Sequence, residues 1–312
     1  MNAIPDRPLF AVSDPGHAEW VSDTTTRHRT ATIDGLDVFY REAGDPSRPT
    51  LLLLHGFPSS SHMFRNLIAA LADEYHLVAP DHIGFGQSAM PSVNQFTYSF
   101  DRLAEITEGL IEHLGLERFA IYIHDYGAPI GLRIAHARPD RITAIISQSG
   151  NAYLEGFTPF WDRLFAHAKD RAANEDSVRE YFTAETTRWQ YTHGVPADRL
   201  DRIAPETWQL DQAGLDRKGN DAIQLQLFWD YQFNLDGYPG FQEYFRTHQP
   251  PLLVTWGRND QIFGAAGAEA FQRDLPDGEY HLLDTGHFAL ETHGDEIAGY
   301  IRDFLGRKVR QP

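Results

Sequence analysis

Phe119-Ala-Ile-Tyr-Ile-His-Asp-Tyr-Gly-Ala-Pro-Ile-Gly-Leu-Arg-Ile-Ala-His136 decides how this chain is read. Phe119–Ile123 is a short apolar run of the kind shown by a strand buried on both faces. Ala128–Ala137 carries apolar residues at helical spacing. Between them Ile123-His-Asp-Tyr-Gly127 forms a sharp turn with Asp125 at its tip. Serine in such a place attacks acyl carbons. A carboxylate can instead displace a leaving group from an sp³ carbon, become an ester of the enzyme itself, and be regenerated when water opens that ester.

Outward from this segment, the pattern repeats. Arg29–Ile33 and Asp37–Glu42, split by Asp34-Gly35, predict a β-hairpin. Thr50–Leu54, His76–Ala79, Ile142–Ser147, Leu252–Trp256 and Tyr280–Leu283 are further strand-length apolar runs. Helical patterns lie between or after them at Met63–Leu71, Phe100–Leu114 and Asp295–Leu305. Such alternation predicts an α/β fold with a mostly parallel eight-stranded sheet and helices on both faces. Residues 1–28 are polar and rich in proline and read as a surface arm. Residues 152–245 are helical in pattern and hold four of the six tryptophans, so they read as a helical cap inserted into a core of 29–151 and 246–312.

The bulk numbers narrow the field of functions. A formal charge of −17 disfavours nucleic acid and anionic membrane surfaces. The absence of cysteine excludes disulfides, thiolate metal sites and a cysteine nucleophile. No two histidines lie three or four apart, so no metal site is expected on a helix face, and no cofactor is implied. No apolar run approaches the roughly 18–20 residues of a spanning helix, and Met1–Phe10 lacks the form of a secretory signal. A cytoplasmic protein is expected, acting on a small apolar molecule; a homodimer is compatible with this.

Two more turns at strand ends complete a constellation. Gly257-Arg-Asn-Asp260 follows Leu252–Trp256, and Asp284-Thr-Gly-His287 follows Tyr280–Leu283. Ligands and catalytic groups gather at such ends of an open sheet. His287 would activate water, with Asp260 holding its tautomer. After the third strand, His55-Gly56-Phe57-Pro58 lets the Phe57 N–H face the elbow beside the Tyr126 N–H, forming an oxyanion hole. In this order and placement, the motifs resemble those of the α/β-hydrolase superfamily. Within it they resemble the aspartate-nucleophile branch of epoxide hydrolases and haloalkane dehalogenases. The resemblance covers about 30–150 and 246–308, and implies Asp125 as nucleophile, Asp260 as charge partner and His287 as base. Asp81-His-Ile-Gly-Phe-Gly-Gln-Ser88 matches a loop of these proteins and reads as structural.

The leaving group separates the two activities. Dehalogenases of this branch usually place an indole after the nucleophile and often an asparagine after His-Gly; here those positions hold Tyr126 and Phe57. Epoxide hydrolases use cap tyrosines to protonate the alkoxide. Tyr231, 29 residues before Asp260, stands where such a tyrosine falls, and Tyr153 is the candidate for a second, with Tyr181 or Tyr191 behind it. Ile123, Phe57–Asn66 and Tyr98–Asp101 look dehalogenase-like instead. Trp161, Trp229 and Phe288 are the expected substrate-binding aromatics, and Arg163 or Arg188 would favour a carboxylate substrate. Epoxide hydrolysis to a vicinal diol is the leading expectation. Haloalkane dehalogenation, ester or lactone hydrolysis, and a receptor on a hydrolase fold remain as alternatives.

Overall fold

Leu51, Leu52, Leu53 and Leu54 are all fully buried, and they divide by parity between two cores. Side chains alternate across a strand. Leu52 and Leu54 accordingly join one apolar cluster and Leu51 and Leu53 the other. The computed structural model describes residues 24–309. Its strands are β1 (Arg27–Ile33), β2 (Leu36–Ala43), β3 (Thr50–Leu54), β4 (His76–Pro80), β5 (Phe119–His124), β6 (Ile142–Gln148), β7 (Leu252–Gly257) and β8 (Glu279–Leu283). They form one eight-stranded sheet in the order β1-β2-β4-β3-β5-β6-β7-β8. β2 runs antiparallel to both β1 and β4, and all other pairs are parallel.

The helices are α1 (Arg65–Leu71), α2 (Phe100–His113), α3 (Gly127–Ala137), α4 (Asp162–Lys169), α5 (Arg171–Arg179), α6 (Ala184–Thr192), α7 (Pro205–Leu215), α8 (Asn220–Asp230), α9 (Gln232–His248), α10 (Ala265–Ala270) and α11 (Ala289–Lys308). Residues of α2 and α3 cover the Leu52 face, and residues of α1 and α11 the Leu51 face. The start of α2 is fixed by Ser99, whose side chain accepts from the Arg102 N–H. Asp170 and Thr183 cap α5 and α6 in the same way.

α4 to α9 lie between β6 and β7 and contribute no strand to the sheet. α9 runs unbroken past residue 245, so the last helix of the insertion carries into the segment assigned to the core; its Phe241 ring meets His136 on α3. Two other boundaries differ from the sequence reading. β1 begins at Arg27, inside the expected arm, the rest of which up to residue 23 lies outside the described residues. α11 begins at Ala289 rather than Asp295, because two helical pieces join across a non-helical His293. No helix among the described residues is long and apolar enough to cross a membrane.

Candidate active site

The turn after β5 holds Asp125 at φ 49°, in the left-handed region, before α3 begins at Gly127. Close approach explains the surrounding glycines. A Cβ on Gly127 would lie 2.1 Å from the Leu54 carbonyl oxygen, and one on Gly56 would lie 2.3 Å from the Asp125 carboxylate. With Gly56 bare, the loop after β3 reaches the elbow. Asp125 Oδ1 accepts the Phe57 N–H at 2.7 Å and the Tyr126 N–H at 2.6 Å. Its Oδ2 faces His287 Nε2 at 3.9 Å, beyond hydrogen-bond reach.

His287, after β8, is buried and donates through Nδ1 to Asp260 Oδ2 at 2.9 Å, since a carboxylate only accepts. Asp260, after β7, is fully engaged. Oδ2 also accepts the Ser149 hydroxyl at 2.8 Å, and Oδ1 accepts the N–H groups of Ile262 at 2.7 Å and Phe263 at 3.1 Å. The tautomer of His287 is therefore set. In the neutral ring Nε2 is then the acceptor, without a partner and facing Asp125.

Charge and burial oppose each other here. Burial pushes the Asp125 carboxyl up to about 6, although His287 and the two N–H donors pull the other way. Burial also works against the His287 imidazolium. The Asp260 and Asp125 carboxylates outweigh it and hold the ring above its ordinary value. His124, 4.6 Å from His287 ring to ring, is driven well down by burial and stays neutral.

Above Asp125 lies a cavity of about 10 Å³, room for a single water. Phe57, Asp125, Tyr126 and Ile262 of the core line it with Phe160, Trp161, Leu164, Gln190 and Phe228 of the insertion. A larger groove of about 640 Å³ between α6 and α7 includes Trp189 and Trp208 but none of Asp125, Asp260 or His287.

The structure thus brings together Asp125, Asp260, His287, Phe57, Tyr126 and Trp161. Tyr231 stands directly behind the wall, its ring 4.4 Å from Trp161 and 6.0 Å from Tyr126. Its hydroxyl is buried beside that of Tyr238, without the geometry of a full hydrogen bond, and the Tyr126 hydroxyl is also unpartnered. Burial holds both hydroxyls far above their ordinary range, so both stay protonated.

Several expected site residues lie elsewhere. Tyr153 packs on Phe271 and donates to Asp274 at 2.9 Å, so its hydroxyl is turned away from Asp125. Tyr181 donates to the Phe160 carbonyl and Tyr191 to Asp211. Trp229 is one residue out of phase. It packs on Phe233 under Arg171, and the preceding Phe228 occupies the wall. Phe288 stacks on Tyr191 at 3.9 Å and presents its ring edge-on to His287, supporting the histidine outside the cavity. Arg163 and Arg188 are exposed, the first paired with Glu180 and the second over Trp208. Among residues that the sequence reading missed, Ser149 sits at φ 53° after β6, a conformation nothing in its residue type announces. Asp81 accepts from the N–H groups of Ser61 and Gln87, in keeping with a structural loop. Among the described residues no group of His, Cys, Asp or Glu is arranged to hold a metal ion.

The sequence profile of the alpha/beta hydrolase fold matches residues 49–294, and the chain belongs to that family. An uncharacterized hydrolase of Saccharomyces cerevisiae, YNR064C, is 45% identical over 279 residues, covering 88% of this chain and 95% of its own. A haloalkane dehalogenase of Mycolicibacterium paratuberculosis is 38% identical over 288 residues, 85% of this chain and 86% of that one. Among solved structures, the epoxide hydrolase VrEH1 of Vigna radiata has a TM-score of 0.72 at 21% identity, covering 90% of this chain and 98% of its own; this likeness is one of fold.

Proposed function

We propose that the protein is an epoxide hydrolase that works through an alkyl ester of Asp125. The observation that carries this reading is the state of the donors around the cavity. Trp161 is the one indole in its wall, and its N–H is committed to the Ile262 carbonyl at 2.8 Å, so it offers nothing to a departing halide. The Tyr231 hydroxyl, by contrast, is protonated one ring behind that wall, beside the Tyr238 hydroxyl but without a full hydrogen bond to it.

Asp125 Oδ2 attacks a ring carbon of the epoxide, the carbon–oxygen bond breaks, and the alkoxide takes the Tyr231 proton. General-acid help of this kind contributes about 10²–10⁴ in rate. The ester carbonyl oxygen is then Oδ1, already between the Phe57 and Tyr126 N–H groups. Water attacks the ester carbon as His287 Nε2 accepts its proton, and charge develops on Oδ1 where those donors point. Collapse releases the diol. Of the two water protons, one leaves on the diol and one restores the Tyr231 hydroxyl. Because the cavity holds about one water, substrate entry requires its lining side chains to move.

Haloalkane dehalogenation is the second reading, supported by the 38% identical relative of that name. The deciding experiment is the intact mass of His287→Ala after exposure to mixed epoxides and haloalkanes. A gain equal to a whole epoxide supports the reading. A gain equal to an alkyl group without its halogen replaces it with dehalogenation, and no adduct on a folded protein refutes both.

A further inference from the structure

The cavity wall contains a polar group with no task in this chemistry. Gln190 on α6 is 2% exposed, lines the cavity beside Asp125, and its Nε2 has no hydrogen-bond partner. The other buried polar side chains of α6 are satisfied. Thr187 donates to Gln212 at 2.7 Å and Tyr191 to Asp211 at 2.5 Å. Only the side chain that reaches the cavity is left open. An amide N–H buried without an acceptor destabilises the fold, and an apolar residue of similar size would fill the wall without that cost.

We propose that the Gln190 amide binds substrate, and that the site selects small epoxides whose substituent carries a hydrogen-bond acceptor, such as glycidyl ethers, esters or amides. This rests on the epoxide reading above and deepens it. The acceptor belongs to the substituent rather than the epoxide ring because two different walls supply the donors. Tyr231 packs on Phe100 and Tyr126, within the core layer that includes α2 and α3. Gln190 arrives on α6, between Trp189, which packs against that first layer, and Tyr191, which stacks on Phe288 in the layer that includes α1 and α11. A substrate with its ring oxygen toward Tyr231 therefore directs its substituent toward Gln190. The rest of the insertion's wall is Phe160, Trp161, Leu164 and Phe228, which offers no free donor to compete.

A matched pair isolates the effect: glycidyl methyl ether and 1,2-epoxypentane differ by one ether oxygen in place of a methylene. Wild-type protein is expected to favour the ether in kcat/KM by about five- to tenfold, the worth of one neutral hydrogen bond. Gln190→Leu should lose that factor on the ether, mainly through KM, and keep or improve its rate on epoxypentane. Gln190→Met, which preserves side-chain length, repeats the test if the leucine variant melts early. A wild-type ratio near one overturns the assignment, as does an equal fall on both substrates in both variants, which would make Gln190 structural or a ligand of the ring oxygen. If wild-type protein opens neither epoxide, the catalytic reading fails and this inference with it; the wild-type rates alone separate that failure from a fault in the role of Gln190.

Discussion

Replacing Asp260 by asparagine tests the site where it is most constrained. Asp260 accepts four hydrogen bonds, two on each oxygen, from Ile262, Phe263, Ser149 and His287. An asparagine has one acceptor atom and one donor atom. Turning its NH₂ toward Ile262 and Phe263 sets donors against two fixed backbone donors, so the oxygen must stay there and the NH₂ must face His287. Ser149 can rotate its hydroxyl to accept, but His287 can meet an N–H only with a bare Nδ1. The ring then takes the other tautomer, with its proton on Nε2 facing Asp125, and the base is gone. Loss of tautomer control of this kind lowers turnover by about 10⁴, or roughly 5–6 kcal/mol of barrier. Attack by Asp125 needs no base and should persist. In single-turnover mixing with an epoxide, Asp260→Asn should therefore form the alkyl ester at a rate near that of wild type and then stall, with the adduct stable by intact mass. Turnover within tenfold of wild type would refute the tautomer argument. A folded variant that forms no ester would refute the assignment of Asp125 and His287 to separate steps.

Other outcomes rest on the same geometry. Asp125 attacks only when ionised, so the alkylation rate should fall as pH drops through about 6 and hold above it; a rate unchanged down to pH 4 would contradict the burial argument. Because the folded pKa lies above the ordinary 3.8, the buried charge destabilises the fold above about pH 6 and ceases to do so below about 3.8. Asp125→Asn should thus gain about 2–3 kcal/mol in urea unfolding at pH 7 and lose that advantage near pH 4. Tyr231→Phe should slow ester formation with epoxides by about 10²–10⁴. Tyr153→Phe should leave it within twofold while losing about 1 kcal/mol of stability at Asp274, whose Oδ2 loses the tyrosine while Oδ1 keeps Arg246; stopped-flow mixing and urea titration read the two effects. Gly127→Ala drives a Cβ to 2.1 Å from the Leu54 carbonyl oxygen and should cost about 2–3 kcal/mol or more, read as an earlier thermal midpoint.

What the sequence disclosed and what it hid follow from how strongly each position is determined. A strand buried on both faces must be apolar throughout, so Leu51–Leu54 and Phe119–Ile123 are visible as runs, and the turns beyond them are located within a residue or two. Asp125 sits in the turn after the second of these runs, and Asp260 and His287 in the turns after β7 and β8, so their places are marked by the strand ends. Helices in the insertion give no comparable signal. α8 buries Leu225, Leu227 and Phe228 while Trp229 is half-exposed, so apolar character alone does not say which side faces the cavity, and a one-residue error exchanges Phe228 for Trp229. The tyrosines hide for a different reason. Tyr153, Tyr181, Tyr191 and Tyr231 are all buried, and only the presence or absence of a partner for each hydroxyl separates them. Three are satisfied by Asp274, the Phe160 carbonyl and Asp211, acceptors that only the fold brings near. The same test marks Gln190, whose residue type suggests nothing. Among the buried groups left without full partners, His287 Nε2, the Tyr126 and Tyr231 hydroxyls and the Gln190 amide lie at or just behind the Asp125 cavity, while those of His62, His167, Gln224, Asn234 and Thr255 are not in its lining. Unsatisfied polar atoms are costly when buried, and four of them around a single aspartate argue for a site whose hydrogen bonds are completed by substrate.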